Sequence, residues 1–326
     1  MVACFISHYL HLCRYFLFIA TFLFSAALDA QTIRIGVSGP FTGGSSPMGE
    51  SMRNGVRLAV EEINGAGGIN GMSIELVERD DTANNETGAK IADELTRSKV
   101  AATIGIVNTG VGLASIDYYQ KAKIPLLVAV STGPMLTRKF SPPSQKANFI
   151  FRVSPTLDLE ARVLAADLKR KSLLRIALMA DTTPYGDSGV SAFAEQARLA
   201  GLDIVAELRF KVGDTDMSGL VKRARASGAA AVVMWGIGPE LASIARGMHS
   251  VGWRVPILGS WTLSMRNFID AAGPAGDGAL MPQTFIQDAG STTKNSFLLA
   301  YHRAFKTDLI PSPMSAAQGY DGMHLL

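Results

Sequence analysis

From residue 32 onward, short apolar runs alternate with longer segments whose apolar positions recur every three to four residues. The first run, Ile33-Arg-Ile-Gly-Val37, predicts a buried strand. A Gly/Pro/Ser loop over 39–49 then leads into a helix that turns Val56, Ala59, Val60 and Ile63 to one side. Asn64-Gly-Ala-Gly-Gly68 stops that helix, since glycine and asparagine tolerate the left-handed turn at a helix C-terminus. The same alternation predicts strands at 74–77, 101–106 and 126–130, with helices at 87–98 and 112–122. It continues with strands at 175–179, 204–210, 230–234 and 255–258 and helices near 158–170, 189–200, 217–226 and 240–250. Nearly continuous apolar strands separated by amphipathic helices predict parallel sheets covered on both faces. The Pro-rich stretch 141–147, followed by Arg152-Val-Ser-Pro155, is the best break between two such units. The predicted class is α/β in two lobes, and a length of 326 residues fits two cores of roughly 150 residues each.

The start of the chain has a different pattern. Arg14 precedes an apolar run from Tyr15 to Phe24, followed by Ser25-Ala26-Ala27 and, further on, Ala30. This is the layout of an export signal with cleavage after Ala27 or Ala30, so residues 1–30 are predicted to be a signal peptide and the mature protein exported. An uncleaved anchor is the alternative, but the run is short for a bilayer span and the chain turns polar directly after it. Both cysteines, Cys4 and Cys13, fall in the leader. The mature chain is then expected to carry no thiol, which excludes disulfides, Cys nucleophiles and cysteine metal sites.

Composition narrows the function. Charged residues are only 18% of the chain, yet no later stretch approaches the ~20 apolar residues of a membrane span, which excludes a polytopic membrane protein. A net charge of +3, dispersed along the chain, gives no nucleic-acid footprint. In parallel sheets ligands sit where strand ends meet helix N-termini. Four such loops carry hydroxyls and glycines: 38–48, 107–110, 130–134 and 181–189. Each alone reads as caps and turns; four of one type point to a binding cleft. The loop 39–49 lacks both the Gly-Lys-Ser/Thr of a phosphate loop and the dinucleotide glycine spacing. Gly186-Asp-Ser-Gly189 imitates a serine-protease nucleophile motif, but the only upstream histidines, His8 and His11, lie in the leader, so Ser188 is expected to be a helix N-cap. His249, His302 and His324 are isolated and lack ligand spacing, and Asp80-Asp81 has no third oxygen ligand at loop spacing, so no metal is expected.

Several strings together resemble the leucine/isoleucine/valine-type periplasmic binding proteins, the substrate-capturing components of ABC importers. They are Ile33-Arg-Ile-Gly-Val-Ser-Gly-Pro-Phe-Thr-Gly43, Ala59-Val-Glu-Glu-Ile-Asn-Gly-Ala-Gly-Gly-Ile-Asn-Gly71, Ile74-Glu-Leu-Val77 with Asp80-Asp81, Phe151-Arg152, Tyr185-Gly186, Gly213-Asp-Thr-Asp216 and Pro256-Ile-Leu-Gly259. The resemblance implies a Venus-flytrap whose first lobe takes 31–153 and 284–326 and whose second takes 154–283, joined by three crossing strands. It implies a monomer that binds a small molecule, needs no cofactor, catalyses nothing and hands its ligand to a permease and ATPase at the inner membrane. Carried over position by position, it implies that Asn108 and Thr109, then Val130, Ser131 and Thr132, hold the ligand carboxylate. Tyr185 would close over it from the second lobe, and Ile237 takes the place of a second-lobe aromatic. Where amino-acid binders of the family place an acid after the Pro-Ile-Leu-Gly strand, this chain has Trp261, with no Asp or Glu between Arg254 and Ile269. An ammonium buried without a counter-charge is costly. The expected ligand is therefore a carboxylate or amide without an α-ammonium, such as an aromatic one stacked among Trp261, Tyr185 and Phe41. The chain ends at Leu326 inside the helix from Met314, where the resemblance leads one to expect a longer C-terminal part. A sensor on the same fold is the alternative function, and a cleft hydrolase the least favoured one.

Overall fold

The computed structural model describes residues 32–288 and 290–326. The predicted leader, its cleavage points and both cysteines lie outside the described residues. Among the described residues nine strands form two all-parallel sheets. The first sheet holds β1 (Ile33–Gly39), β2 (Ile74–Asp80), β3 (Ala102–Gly105), β4 (Leu126–Val128) and β5 (Ile150–Arg152), in the order β2-β1-β3-β4-β5. The second holds β6 (Arg175–Asp181), β7 (Asp203–Phe210), β8 (Ala231–Trp235) and β9 (Ile257–Gly259), in the order β7-β6-β8-β9. Between them run the crossover helices α1 (Ser46–Gly65), α2 (Asn85–Arg97), α3 (Thr109–Ala122), α4 (Met135–Arg138), α5 (Leu157–Arg170), α6 (Pro184–Ala200), α7 (Ser218–Ala226) and α8 (Gly238–Ser250). The chain leaves the second sheet through a 3₁₀ turn, Trp261–Ser264, and α9 (Arg266–Ala272). It then returns to the first sheet's side as α10 (Thr292–Phe305) and α11 (Pro313–Leu325).

The central strands are apolar because both faces are covered: β8 is buried at every residue, as are β3 and β4. Each sheet has its own core, one around Val37, Met52, Ile104 and Leu127, the other around Met179, Val232, Met234 and Leu241. Behind β6 and β8 a further cluster centres on Phe193 and the fully buried Trp235. α11 lies directly against α1. A Cβ on Gly55 would collide with the Ala316 carbonyl, and one on Gly319 with the Met52 carbonyl, so the two helices touch backbone to backbone. Tyr301, Phe297 and Leu298 of α10 close the same side against Leu58.

The two sheets and their alternating helices follow the pattern predicted from the sequence, with differences at the margins. The Pro-rich stretch 141–147 is a loop inside the first sheet's half, and a strand, β5, follows it; the chain passes to the second sheet only at 153–156. A strand of three residues leaves too short an apolar run to read. β4 ends at Val128, so Val130 belongs to the loop. α6 begins at Pro184, where the fixed φ of proline suits the first helical turn. Ser188 therefore lies inside the helix and donates to the Pro184 carbonyl at 2.7 Å; the N-cap is Thr183. Among the described residues no helix is long and apolar enough to cross a membrane.

Candidate functional site

Between the two sheets, at the C-terminal ends of their strands, lies a cleft of about 580 Å³. On the first-sheet side it is lined by Asn108 and Thr109 at the start of α3, by Val130, Ser131 and Thr132 after β4, and by Ser45, Asn84 and Asn85. The second-sheet side contributes Thr182, Thr183 and Tyr185 around the start of α6, Val212 after β7, Ile237 after β8, and Trp261 and Thr262 after β9. Eight of the nine residues singled out from the sequence thus come together on this surface. Phe41 does not. Its ring is nearly buried in the core beside Met52, under the Arg53 guanidinium 4.4 Å from the ring centre, and its N–H donates to Asp80 Oδ1 at 2.8 Å.

The first-sheet wall is polar and held from behind. Thr109 Oγ1 and Ser131 Oγ lie 3.0 Å apart, and the Ser131 N–H donates to the Ile106 carbonyl at 3.1 Å. Arg152 fixes the loop by donating to the carbonyls of Ser131, Gly133 and Pro155. Burial of that guanidinium, with Arg138 nearby, lowers its pKa to about 10, so it stays charged at neutral pH. The turn into α3 puts Ile106 at φ 62°, a left-handed conformation that a β-branched residue enters at a cost of ~1–3 kcal/mol and that surrounding structure must hold. The caps of the helices aimed at the cleft differ. Asn84 caps α2 by accepting from the Thr87 N–H, and Thr183 caps α6 by accepting from the Gly186 N–H. Asn108 makes no side-chain cap to α3; its Nδ2 donates to Ser45 Oγ at 3.1 Å. The first N–H groups of α3 are thereby left facing the cleft without a side-chain acceptor, an arrangement that suits a carboxylate.

The second-sheet wall is aromatic and apolar. Trp261 is buried and packs with Ile237 and Met265 into the core of the first sheet, bridging the two halves. Its carbonyl accepts from Gln283 Nε2 at 2.9 Å, and Asn267 Nδ2 reaches the Gly44 carbonyl at 3.2 Å. Tyr185 is also buried. Burial, then the neighbouring Glu160, push its phenol well above the ordinary value, so it is a neutral donor. Asp181 sits beneath it, accepting from the Thr183 N–H and hydroxyl at 2.9 and 2.5 Å; burial raises this carboxyl despite those bonds and despite Arg209 nearby.

Two groups escaped the sequence pattern. Asn84 and Asn85 line the cleft after β2, where Asp80-Asp81 reads only as a strand-end turn. More consequential is Glu160. The stretch 254–269 has no acid, but Glu160 arrives from α5 and its Oε2 accepts from the Trp261 N–H at 3.3 Å. It is buried, and that burial lifts its pKa to about 8, against the opposing pull of the Trp261 N–H and the Thr132 hydroxyl. A signal for it exists: Glu160 lies on the stripe of Leu157, Ala161, Leu164 and Leu168, the buried face of α5, where an acid is out of place. Among the described residues no cluster of His, Cys, Asp and Glu is arranged to hold a metal.

Two parallel sheets with crossover helices and a cleft between their strand ends define a type I periplasmic binding protein. A family model described as "Periplasmic binding protein" matches residues 32–326, and the chain belongs to that family, the substrate-binding proteins of ABC transporters. A Leu/Ile/Val-binding protein homolog of Brucella melitensis is 28% identical over 310 residues, covering 95% of this chain and 81% of that one. The branched-chain amino acid transporter substrate-binding protein of Streptococcus pneumoniae, solved with isoleucine, superposes with a TM-score of 0.80 at 26% identity, covering 90% of this chain and 82% of that one. A solute-binding protein of R. palustris, solved with benzoate, gives a TM-score of 0.80 at 22% identity, covering 91% and 79%.

Proposed function

We propose that the chain is an exported, periplasmic and monomeric substrate-binding protein that captures a small organic carboxylate lacking an α-ammonium, aromatic in its remaining part, and presents it to an ABC permease with its ATPase. The two lobes would be 31–153 with 284–326 and 154–283, hinged at the passages between the sheets. The observation that carries this reading is the division of the cleft. The hydroxyls of Thr109, Ser131 and Thr132 and the first N–H groups of α3 stand on one wall, and the rings of Tyr185 and Trp261 with Ile237 on the other. A flat anion satisfies both at once, whereas the one acid that reaches Trp261, Glu160, is pushed by burial toward its neutral form and offers an ammonium little counter-charge at neutral pH. The benzoate relative supports the reading in one respect: this fold can enclose such a ligand.

Titration calorimetry of the mature chain against benzoate, 4-hydroxybenzoate, leucine and valine tests it. Binding of the aromatic acids with no response to leucine or valine is the expected outcome. Tight leucine binding with no response to the aromatic acids overturns it.

A further inference from the structure

Four buried polar atoms around the cleft make no well-formed hydrogen bond: Glu160 Oε1, the Thr132 hydroxyl, the Tyr185 hydroxyl and the Trp261 indole N–H, although Thr132 lies near the Glu160 carboxyl and Ser260 and Thr262 near the Tyr185 phenol. Buried polar atoms are ordinarily paired, so four such atoms from four separate segments mark a place for a polar occupant. Thr132 follows β4, while Glu160, Tyr185 and Trp261 come from the segments around the second sheet. Glu160 Oε2 is already engaged by the Trp261 N–H, leaving Oε1 as its free atom.

A carboxylate seated at Ser131 and Thr132 would lie beside this carboxyl. Two like charges in one dry corner cannot both be ionised without a large penalty. A protonated Glu160 removes the conflict and can donate its O–H into the corner. The charged and titratable groups around it do not relieve an ionised form. The Arg152 guanidinium is taken up by three carbonyls of the β4 and β5 loops. On the same helix, Asp158 is paired with Arg138. From α6 comes the Tyr185 phenol, with the buried Asp181 carboxyl behind it. Burial places the Glu160 transition near 8.

We propose that Glu160 is a specificity-determining residue that couples ligand charge to one proton: protonated, it shares the corner with an anionic ligand at Ser131 and Thr132; ionised, it expels that ligand. This rests on the carboxylate reading of the cleft and adds to it the group that enforces the ligand's charge.

Benzoate binding is measured by calorimetry across pH in the mature protein and in Glu160→Gln, which keeps the shape of the side chain without its charge. Leucine is run in parallel. In the unaltered protein, benzoate affinity falls about tenfold between about pH 7 and about pH 9, as one proton released near 8 requires. In Glu160→Gln the fall with pH is lost and benzoate affinity is flat across the range. Benzoate affinity that is flat with pH in the unaltered protein overturns the proposal whether or not the variant folds, and leaves the carboxylate reading standing. An unchanged slope in Glu160→Gln does the same. Leucine binding that tightens as pH rises and is lost in Glu160→Gln makes Glu160 the counter-charge of an ammonium and overturns both. Failure of benzoate and leucine alike to bind overturns the carboxylate reading for this probe, and with it the proposal.

Discussion

On the first-sheet wall of the cleft, Thr109, Ser131 and Thr132 project from short loops tied down by Arg152, Ile106 and each other. On the second-sheet wall, Tyr185 is anchored in the core behind it, while Trp261 and Ile237 pack across into the core of the first sheet. Both walls use the same strand–loop–helix unit, so the difference lies in what fills the loop. Small hydroxyl residues leave backbone N–H groups accessible and give polarity; bulky residues cover the backbone and give contact area. A ligand held by both walls must present one polar end and one flat apolar body, and closure of the hinge would bring the two sets together.

The comparison can be broken at the level of the cores. Trp235 lies at the centre of the second half, fully buried against Phe193 with ring centres 5.7 Å apart. Removing it as Trp235→Ala is expected to cost ~3–5 kcal/mol by loss of buried area plus the cavity left behind. If each sheet's core is self-supporting, thermal unfolding followed by hydrogen exchange shows β6 to β9 losing protection while β1 to β4 keep theirs. Equal loss in both halves means that the Trp261 bridge makes them one cooperative unit.

The walls can also be compared one against the other. A hydrogen bond to a charged group contributes ~1.5–3 kcal/mol, so Ser131→Ala should weaken benzoate about 10–100-fold. Aromatic packing contributes ~0.5–1.5 kcal/mol beyond its area, so Trp261→Leu should weaken it only about 2–10-fold. Calorimetry on the two variants decides the ranking, and a larger loss in Trp261→Leu shifts the weight of recognition to the second wall.

The sequence pattern made the two-sheet class and most of the cleft legible. Each strand end carries its cleft-lining residues within a few positions, and Gly, Ser and Thr before a helix are a local signature. What stayed hidden is non-local. Phe41 reads as a cleft aromatic because it stands in a glycine-rich loop, but Asp80 holds its N–H and Arg53 covers its ring, turning it inward. Glu160 is distant in sequence from Trp261 and from Thr132, and only the packing of α5 brings the three together. β5 is three residues long and sits behind a Pro-rich loop, too little for a periodicity.

Two acids in equivalent places sharpen the contrast between the halves further. Asp81 follows β2 on the first side and Asp181 ends β6 on the second; both are buried at the entry to a helix that faces the cleft. Burial, with Asp80 adding to it, raises Asp81 to about 6, with only the Ala83 N–H and the Ser38 hydroxyl to oppose the shift. Asp181 has the Thr183 bonds and the field of Arg209, whose guanidinium also donates to the Asp181 carbonyl. A folded-state pKa above the unfolded value of ~3.9 means that the fold favours the protonated acid. The stability this provides is full below the unfolded value and is lost as pH rises through the folded one. Asp81→Asn keeps the acceptor for Ala83 and removes the charge. Its melting temperature is therefore expected to match the unaltered protein near pH 4 and to exceed it above about pH 6 by several degrees, corresponding to ~2–3 kcal/mol. Asp181→Asn should gain less, because it gives up the attraction to Arg209 along with the burial penalty. Melting curves of both variants across that pH range test the pair. A gain for Asp181→Asn as large as that for Asp81→Asn removes Arg209 as the source of the difference.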